Sequence, residues 1–405
     1  MGTGVKELEK LYYRDPYIRN FKTTLKQQAQ DEAGRWYALL EKSAFYPEGG
    51  GQPYDTGTLN GQDVLEVQEV EGEIRHYLKK PLPETIVELT GEIEWKRRFD
   101  HMQQHAGQHL LSAAFEELFS YKTMSFHLGK EVSTIDIDTK DLTDQEALEA
   151  ESLVNKIILE DRSIETKWVT KEELAGYPLR KELAVEENIR LVIIPDFDYN
   201  GCGGTHPKST GGVSSLKILS TEKQRKMIRV TFVAGHRVLQ QLHEKHKIIS
   251  GLAVQLNAPQ ERMIEAVARL MEQSKEQAKL LKESNDKLLQ YEASSLASKV
   301  LVLEGQAVIQ KVYVNKTIGE LQSLARHITK EVEDAIVFLV AENENKLALV
   351  ASRGTKSDAN MKTIVNDILP SINGKGGGRE DFAQGGGEAK FTGEEVLKML
   401  LDSMK

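Results

Sequence analysis

The chain has 405 residues, 40% of them hydrophobic and 28% charged, with a formal net charge of -9 and one cysteine, Cys202. That balance and length suit two to four soluble domains with real cores and exclude disordered or fibrous classes. The acidic excess argues against an indiscriminate nucleic-acid binder, which carries a basic surface to displace counterions from phosphates. No apolar run approaches a membrane span, MGTGVKELEK lacks an apolar signal core, and a lone cysteine fits a reducing compartment, so a cytoplasmic protein without membrane contact is expected.

From Leu11 to about Glu94, short alternating runs are broken by turn residues, and Val64, Val67 and Val70 among Gly57, Gly61 and Gly72 predict strands of a small β-barrel. Asp100 is the expected N-cap of a helix, with Gln103 three residues on and Met102, Leu111, Ala114, Phe115 and Leu118 on its buried face. A hairpin over SFHLGKEVSTIDID, a helix near 143–160 and strands in SIETKWVT, RLVIIPDF and GGVSSLKIL follow, which makes the region α+β. Between Val238 and Leu296 glycine is scarce, and Ile264, Val267, Met271, Ala278, Leu281 and Leu288 recur among Lys and Glu. Long helices are predicted there, as a connector packed on its own chain or a dimerising coil. The last hundred residues read strand, helix, two strands, helix, glycine loop and helix, a compact α/β module.

DHMQQHAGQHLL puts His101, His105 and His109 at intervals of four, so either adjacent pair can offer two imidazoles to one ion. Spacing alone does not choose between the pairs, and all three together fit badly because the outer two diverge around the helix. NGCGGTHP adds Cys202 and His206 on a turn that Gly203 and Gly204 allow to be tight. Three imidazoles and a thiolate suit one Zn2+ better than magnesium or calcium. Four protein ligands usually mark a closed zinc site, so either His206 binds weakly or the ion organises a pocket without activating water. Neither HMQQH nor HAGQH has the Glu of HExxH, which weighs against peptide hydrolysis.

HAGQHLLSAAF together with CGGTH resembles the HxxxH and CxxxH signature of the alanyl-tRNA editing domain, shared by alanyl-tRNA synthetases and the freestanding AlaX deacylases. LYYRDPY and AFYPEGGGQPYDTG resemble the N-terminal barrel and glycine-rich motif of the longer AlaX proteins, and GKGGGREDFAQGGG resembles the DHHA1 domain. The resemblance implies four zinc ligands, His105, His109, Cys202 and His206, with His101 one turn early at the helix N-terminus. It implies that Gly49, Gly50, Gly51 and Gln52 border the editing pocket, where backbone N–H groups could stabilise an oxyanion. Two departures are visible: Ala106 where Thr often follows the first ligand, and Asn200-Gly201 where Pro often precedes the cysteine.

Ser125, His127 and Thr134 on the predicted hairpin are candidate partners for a seryl hydroxyl, since a lost hydrogen bond discriminates far better than a missing methylene. Lys375, Gly376, Gly377, Gly378 and Arg379 combine close backbone approach with charge, and are candidates for tRNA phosphates; Lys223, Arg225, Lys226 and Arg229 form a second basic run.

The expected organisation is α+β throughout: a β-barrel with the glycine motif over 1–95, a zinc-binding deacylase domain over 96–237, a helical connector over 238–300, and a DHHA1-like tRNA-binding or dimerisation module over 301–405. The expected activity is trans-editing, deacylation of tRNA(Ala) mischarged with serine or glycine while alanyl-tRNA is spared, since no segment reads as an ATP-dependent charging domain. A homodimer through the connector or the C-terminal module is also expected. The competing readings are a zinc-dependent hydrolase of small esters and a non-catalytic tRNA-binding protein with a structural zinc. No side chain is an evident general base.

Overall fold

The computed structural model describes residues 8–83, 85, 87–181, 188–303 and 305–404. The chain divides into two compact units, 1–251 and 252–405.

In the first unit, strands β1 (Asn20–Gln30), β2 (Trp36–Leu40), β3 (Gly57–Leu59), β4 (Gln62–Val70), β5 (Glu73–Leu78) and β6 (Glu88–Ile93) pair in the order β1-β2-β5-β4-β3-β6. Antiparallel pairing of Asn20 with Glu92 returns β6 to β1 and closes the ring. Alternation drives this arrangement: β6, ELTGEI, is exposed and buried by turns along its whole length. Val64 and Val67 are an odd number of residues apart and should face opposite sides, yet both are buried, because a bulge between Val64 and Glu66 restores the inward phase. Leu40, Phe45, Leu59, Val67 and Leu89 fill the interior.

Helix α1 spans Trp95–Phe119, six residues earlier at its start than an N-cap at Asp100 would set it. Asp100 does not cap. Its carboxylate accepts from Arg237 at 2.6 and 2.8 Å, and Gln103 donates to the Gly212 carbonyl and accepts from the His236 amide, so neither is free to form a capping box. His101 accordingly lies in the second turn rather than at the terminus. Buried residues cover every position from His101 to Phe115, which marks a core helix rather than an amphipathic surface one.

Strands β7 (Thr123–Leu128) and β8 (Ser133–Ile137) form the predicted hairpin, and α2 (Asp144–Leu159) starts at a capping box between Thr143 and Glu146. Next come β9 (Glu165–Val169), β10 (Ile189–Ile194), β11 (Asp198–Gly201), β12 (Leu216–Gln224) and β13 (Met227–Ala234). They make a three-stranded sheet, β9-β10-β11, and a four-stranded sheet, β12-β13-β8-β7. IRLVII of β10 is buried at all six positions, as a central strand covered on both faces must be. Leu110, Phe115, Ile135, Val154 and Phe232 join α1, α2 and the four-stranded sheet in one core.

Helices α3 (His236–Leu256) and α4 (Met263–Ala297) occupy the region predicted as long helices. In the second unit Leu289, Ala293 and Leu296 of α4 pack on α5 (Ile318–Glu331) through Leu321, Leu324 and Ile328, while Ile264, Met271, Leu281 and Leu288 are exposed. A six-stranded sheet carries the rest: β14 (Leu301–Leu303), β15 (Gln306–Val314), β16 (Ala335–Asn343), β17 (Lys346–Arg353), β18 (Lys375–Gly378) and β19 (Phe382–Glu388), in the order β14-β15-β16-β17-β19-β18. Helices α6 (Met361–Ile368) and α7 (Gly393–Asp402) cover one face.

The glycine segment is therefore not a loop but an edge hairpin. Its glycines let two backbones close on each other and on Leu369: a Cβ on Gly376 would stand 2.3 Å from the Gln384 carbonyl oxygen, and one on Gly385 would stand 2.4 Å from a Leu369 methyl. Among the described residues, no helix is long and apolar enough to cross a membrane.

Candidate metal centre

Helix α1 sets His105 and His109 one turn apart, and the turn after β11 brings Cys202 and His206 to them. Their four donor atoms lie within 4.8 Å of one another, and His101 is not in the group. Sγ of Cys202 is 3.4 Å from His105 Nε2 and 3.3 Å from His206 Nε2.

Each helix imidazole is aimed by a bond on its far nitrogen. His105 Nδ1 donates to Gln52 Oε1 at 3.1 Å, and His109 Nδ1 donates to Asp198 Oδ2 at 2.9 Å, which frees both Nε2 atoms for the cluster. Arg180 Nε supports Asp198 from behind at 2.8 Å. Gln52 also receives the Thr205 amide at 2.9 Å and donates to the Thr205 hydroxyl at 2.8 Å, tying the glycine motif to the CGGTH turn. Arg190 clamps that turn by donating to the carbonyls of Cys202 and Gly204 at 2.7 and 2.9 Å. Gly204 must be glycine, since a Cβ there would stand 2.3 Å from His105 Cε1.

A buried ion pair anchors the helix to the strand ring. Arg98, wholly buried, donates Nε to both Asp55 oxygens at 3.0 and 2.9 Å, Nη1 to the Pro16 carbonyl at 2.8 Å and Nη2 to Asp55 and the Ala44 carbonyl. Asp55 also receives the Tyr46 amide at 2.6 Å, so the ends of the glycine motif are fixed to the helix that bears the histidines.

The electrostatics suit a cation. Burial opposes ionisation of the Cys202 thiol, yet the neighbouring imidazoles of His105 and His206 hold it well below the ordinary thiol range. Burial likewise opposes a charge on His109, but Asp198 and the Cys202 sulfur raise it to about 9, so without an ion His109 holds a proton toward the sulfur, which a bound cation would displace. Desolvation pushes His206 down to about 3, the neutral form a metal ligand requires, and its Nδ1 has no hydrogen-bond partner among the described residues. Three imidazoles and a thiolate, without a carboxylate in the group, fit zinc.

Three members of the cluster, His105, His109 and Cys202, wall a cavity of about 460 Å³ lined also by Gly50, Gly51, Ser125, Phe126, Arg180 and Asn200 among others, with His206 outside the lining. Of the glycine motif, Gly50 and Gly51 reach the wall, whereas the Gly49 amide is used by the Gln52 carbonyl and Gln52 sits buried behind the wall. Gly51 holds φ of +79° with Phe126 against it, a place for glycine alone. Ser125 lines the cavity; its hydroxyl donates to Asp136 at 2.7 Å, and Arg229 holds Asp136 from the other side. His127 and Thr134 pair directly across the two strands and are not part of the lining. Arg229 is thereby engaged within the fold, and Lys223 pairs with Asp141 at 3.4 Å. Lys375 and Arg379 are exposed in the second unit, where Arg379 pairs with Asp381 at 3.5 Å.

Arg98 with Asp55, Asp198, Arg180 and Arg190 were not singled out from the sequence. The signal that could have found them is a charged residue flanking a ligand motif: Asp55 in the glycine motif and Asp198 four residues before Cys202.

Residues 304–405 match the DHHA1 domain, and residues 189–230, which carry Cys202 and His206, match the second additional domain of threonyl and alanyl tRNA synthetases. Fold and site thus define a protein of the class that bears this synthetase-type domain. The chain is 30% identical to the alanyl-tRNA editing protein AlaX-L of Pyrococcus horikoshii, covering 98% of each chain, and 29% identical to the mouse alanyl-tRNA editing protein Aarsd1, covering 97% of each. It belongs to the alanyl-tRNA editing protein family. It is also 32% identical to the alanine--tRNA ligase of Pyrococcus abyssi over 97% of its own length, but spans only 44% of that ligase.

Proposed function

We propose that this protein is a deacylase that hydrolyses the ester of mischarged tRNA(Ala) in trans, taking serine and glycine and sparing alanine. The observation that carries the reading is a cavity whose wall brings the Ser125 hydroxyl together with His105, His109 and Cys202, three members of the four-donor cluster that His206 completes, in a chain of the alanyl-tRNA editing family. Because Ser125 spends its proton on Asp136, it presents lone pairs, so a seryl hydroxyl can donate to it and an alanyl methyl cannot.

His105, His109, Cys202 and His206 would hold one zinc ion, which supplies positive charge beside the ester carbonyl. Gly50 and Gly51 have amide groups without partners among the described residues, and these donate to the carbonyl oxygen as water adds. Phe126 bounds the space beside them and limits the size of the acyl group. Arg180, whose Nη2 has no partner among the described residues, binds an oxygen of the terminal ribose or phosphate. Exposed Lys375 and Arg379 contact tRNA phosphates, the exposed apolar residues of α4 meet a second copy, and the site of action is the cytoplasm.

The test is release of the acyl group from seryl-, glycyl- and alanyl-tRNA(Ala) by purified protein, beside Cys202→Ala and Ser125→Ala. Serine should leave far faster than alanine, with Cys202→Ala inactive and Ser125→Ala slowed on serine by about tenfold or more. Alanine released as fast as serine would overturn the reading.

A further inference from the structure

A second cavity of the first unit, about 980 Å³, opens along the N-terminal half of α1. It is separate from the metal centre: its lining includes Trp95, Phe99, His101, Lys130 and Arg237 and none of the four clustered donors. The glycine motif runs between the two spaces, with Gly50 and Gly51 on the wall of one and Pro53 on the wall of the other.

Three features of the second cavity point to one chemistry. Its aromatic wall is already stacked: Trp95 and Phe99 lie 5.4 Å apart at 26°, and the Arg19 guanidinium fixes Trp95 from 4.2 Å. A planar base can extend such a stack without ordering any side chain. Its rim carries Lys96 and Lys130, both without an ion-pair partner among the described residues. The carboxylates nearby are engaged, Asp100 by Arg237 and Glu94 by the Thr56 hydroxyl.

The third feature is His101. It lines the cavity, only 6% of it is exposed, and its Nδ1 has no partner among the described residues. A buried polar atom of this kind is unfavourable unless something supplies the missing hydrogen bond. Burial holds the imidazole neutral, with a pKa lowered to about 4, so its nitrogens offer one donor and one acceptor. That pair suits the edge of a base. A purely apolar ligand would leave the nitrogen unsatisfied and the lysines idle.

We propose that this cavity is a nucleotide site: it receives one unstacked ribonucleotide, the base against Trp95 and Phe99 with its edge on His101, and the phosphate between Lys96 and Lys130. The nucleotide is either part of a single-stranded RNA or a free mononucleotide. If it belongs to a bound tRNA, the inference rests on the deacylase reading and supplies that enzyme with a contact to the RNA outside the amino-acid cavity.

The chain has three tryptophans, so Trp36→Phe with Trp168→Phe leaves Trp95 as the sole reporter in the full-length protein. This protein is titrated with AMP and with the RNA tetranucleotide ACCA, and Trp95 fluorescence is followed. Saturable quenching is expected, with half-saturation moved upward about tenfold by Phe99→Ala, by His101→Phe and by Lys130→Glu. Lys130 lies in the turn between β7 and β8, so its substitution also serves if the two ring substitutions melt early. RNA saturating at a lower concentration than AMP assigns the site to a strand, and AMP alone saturating assigns it to a mononucleotide. Absence of saturable quenching by both probes, or curves unchanged by Phe99→Ala and Lys130→Glu, overturns the proposal. Deacylation is not part of the readout, so an inactive enzyme that still quenches refutes the deacylase reading and leaves this one standing.

Discussion

Gln52 and His105, 53 positions apart in sequence, share a buried hydrogen bond in which the imidazole Nδ1 donates to the amide oxygen. The bond sets the tautomer, so Nε2 keeps its lone pair for the cluster. Gln52→Ala should therefore weaken zinc binding about 10- to 100-fold without removing a ligand. Competition with a chromophoric chelator measures it, and wild-type affinity in the variant would refute the orienting role.

Gly204→Ala drives a methyl into His105 and, at 2.9 Å, into Gln52 Oε1. The imidazole must leave its position, so zinc should be lost on dialysis while the fold is destabilised by about 1–3 kcal/mol. Elemental analysis and a urea transition report the two effects separately.

Stripping the ion exposes the state of Cys202. Burial disfavours its thiolate, but His105 and His206 overcome that effect, so in chelator-treated protein the thiol should react with a disulfide reagent at a rate that hardly changes between about pH 6 and pH 9. Added zinc should stop the reaction. A rate that climbs tenfold per pH unit through this range would mean an ordinary thiol.

Arg98 uses Nε, Nη1 and Nη2 on three different groups, a fork that a single ammonium cannot imitate. Arg98→Met leaves Asp55 buried and unpaired, and should lower stability by about 3–5 kcal/mol; Arg98→Lys should recover little of it. Urea unfolding followed by fluorescence measures both variants.

His76 lies wholly inside the strand ring, bonded to the Ser43 hydroxyl at 2.7 Å and the Ala38 carbonyl at 3.1 Å. Desolvation lowers its pKa from 6.5 to about 4. The unfolded chain therefore binds a proton in this window that the folded chain refuses, so the His76 contribution is complete above pH 6.5 and is lost as pH falls toward 4. His101, also lowered to about 4, adds to the same slope. Melting temperature against pH should flatten between these limits in Ser43→Ala/His76→Phe, and an unchanged slope would count against His76.

Local signals were legible wherever the cause of structure is local. The alternation of ELTGEI, the Thr143 and Glu146 pair before α2 and the apolar run of β10 all announce their elements. The four clustered donors were legible as two short motifs, because a ligand pair must lie within a turn on a helix or a tight bend. What escaped depends on distant partners. Asp100 has the chemistry of a cap, but Arg237, 137 positions away, claims it. His109 needs Asp198, 89 positions away, and no spacing rule joins them. The glycines of β18 and β19 look like a loop until Leu369 is seen to demand close approach. Residue type narrowed the cavity wall to a hairpin, but Ser125, His127 and Thr134 share one face of it, and only the tertiary placement of the cavity at the Thr123–Phe126 end leaves His127 and Thr134 outside the lining.

The pairing of Asp55 with Arg98 bears on modularity. A fragment beginning at Trp95 would keep every metal donor, yet its helix would carry a guanidinium shaped for a counter-ion left behind in the strand ring, and His105 would lose the amide that turns it. The metal-bearing half is thus not a detachable cassette. Ring and helix must be transplanted together, and any graft into another scaffold that cuts between Ile93 and Trp95 severs the support on which the site stands.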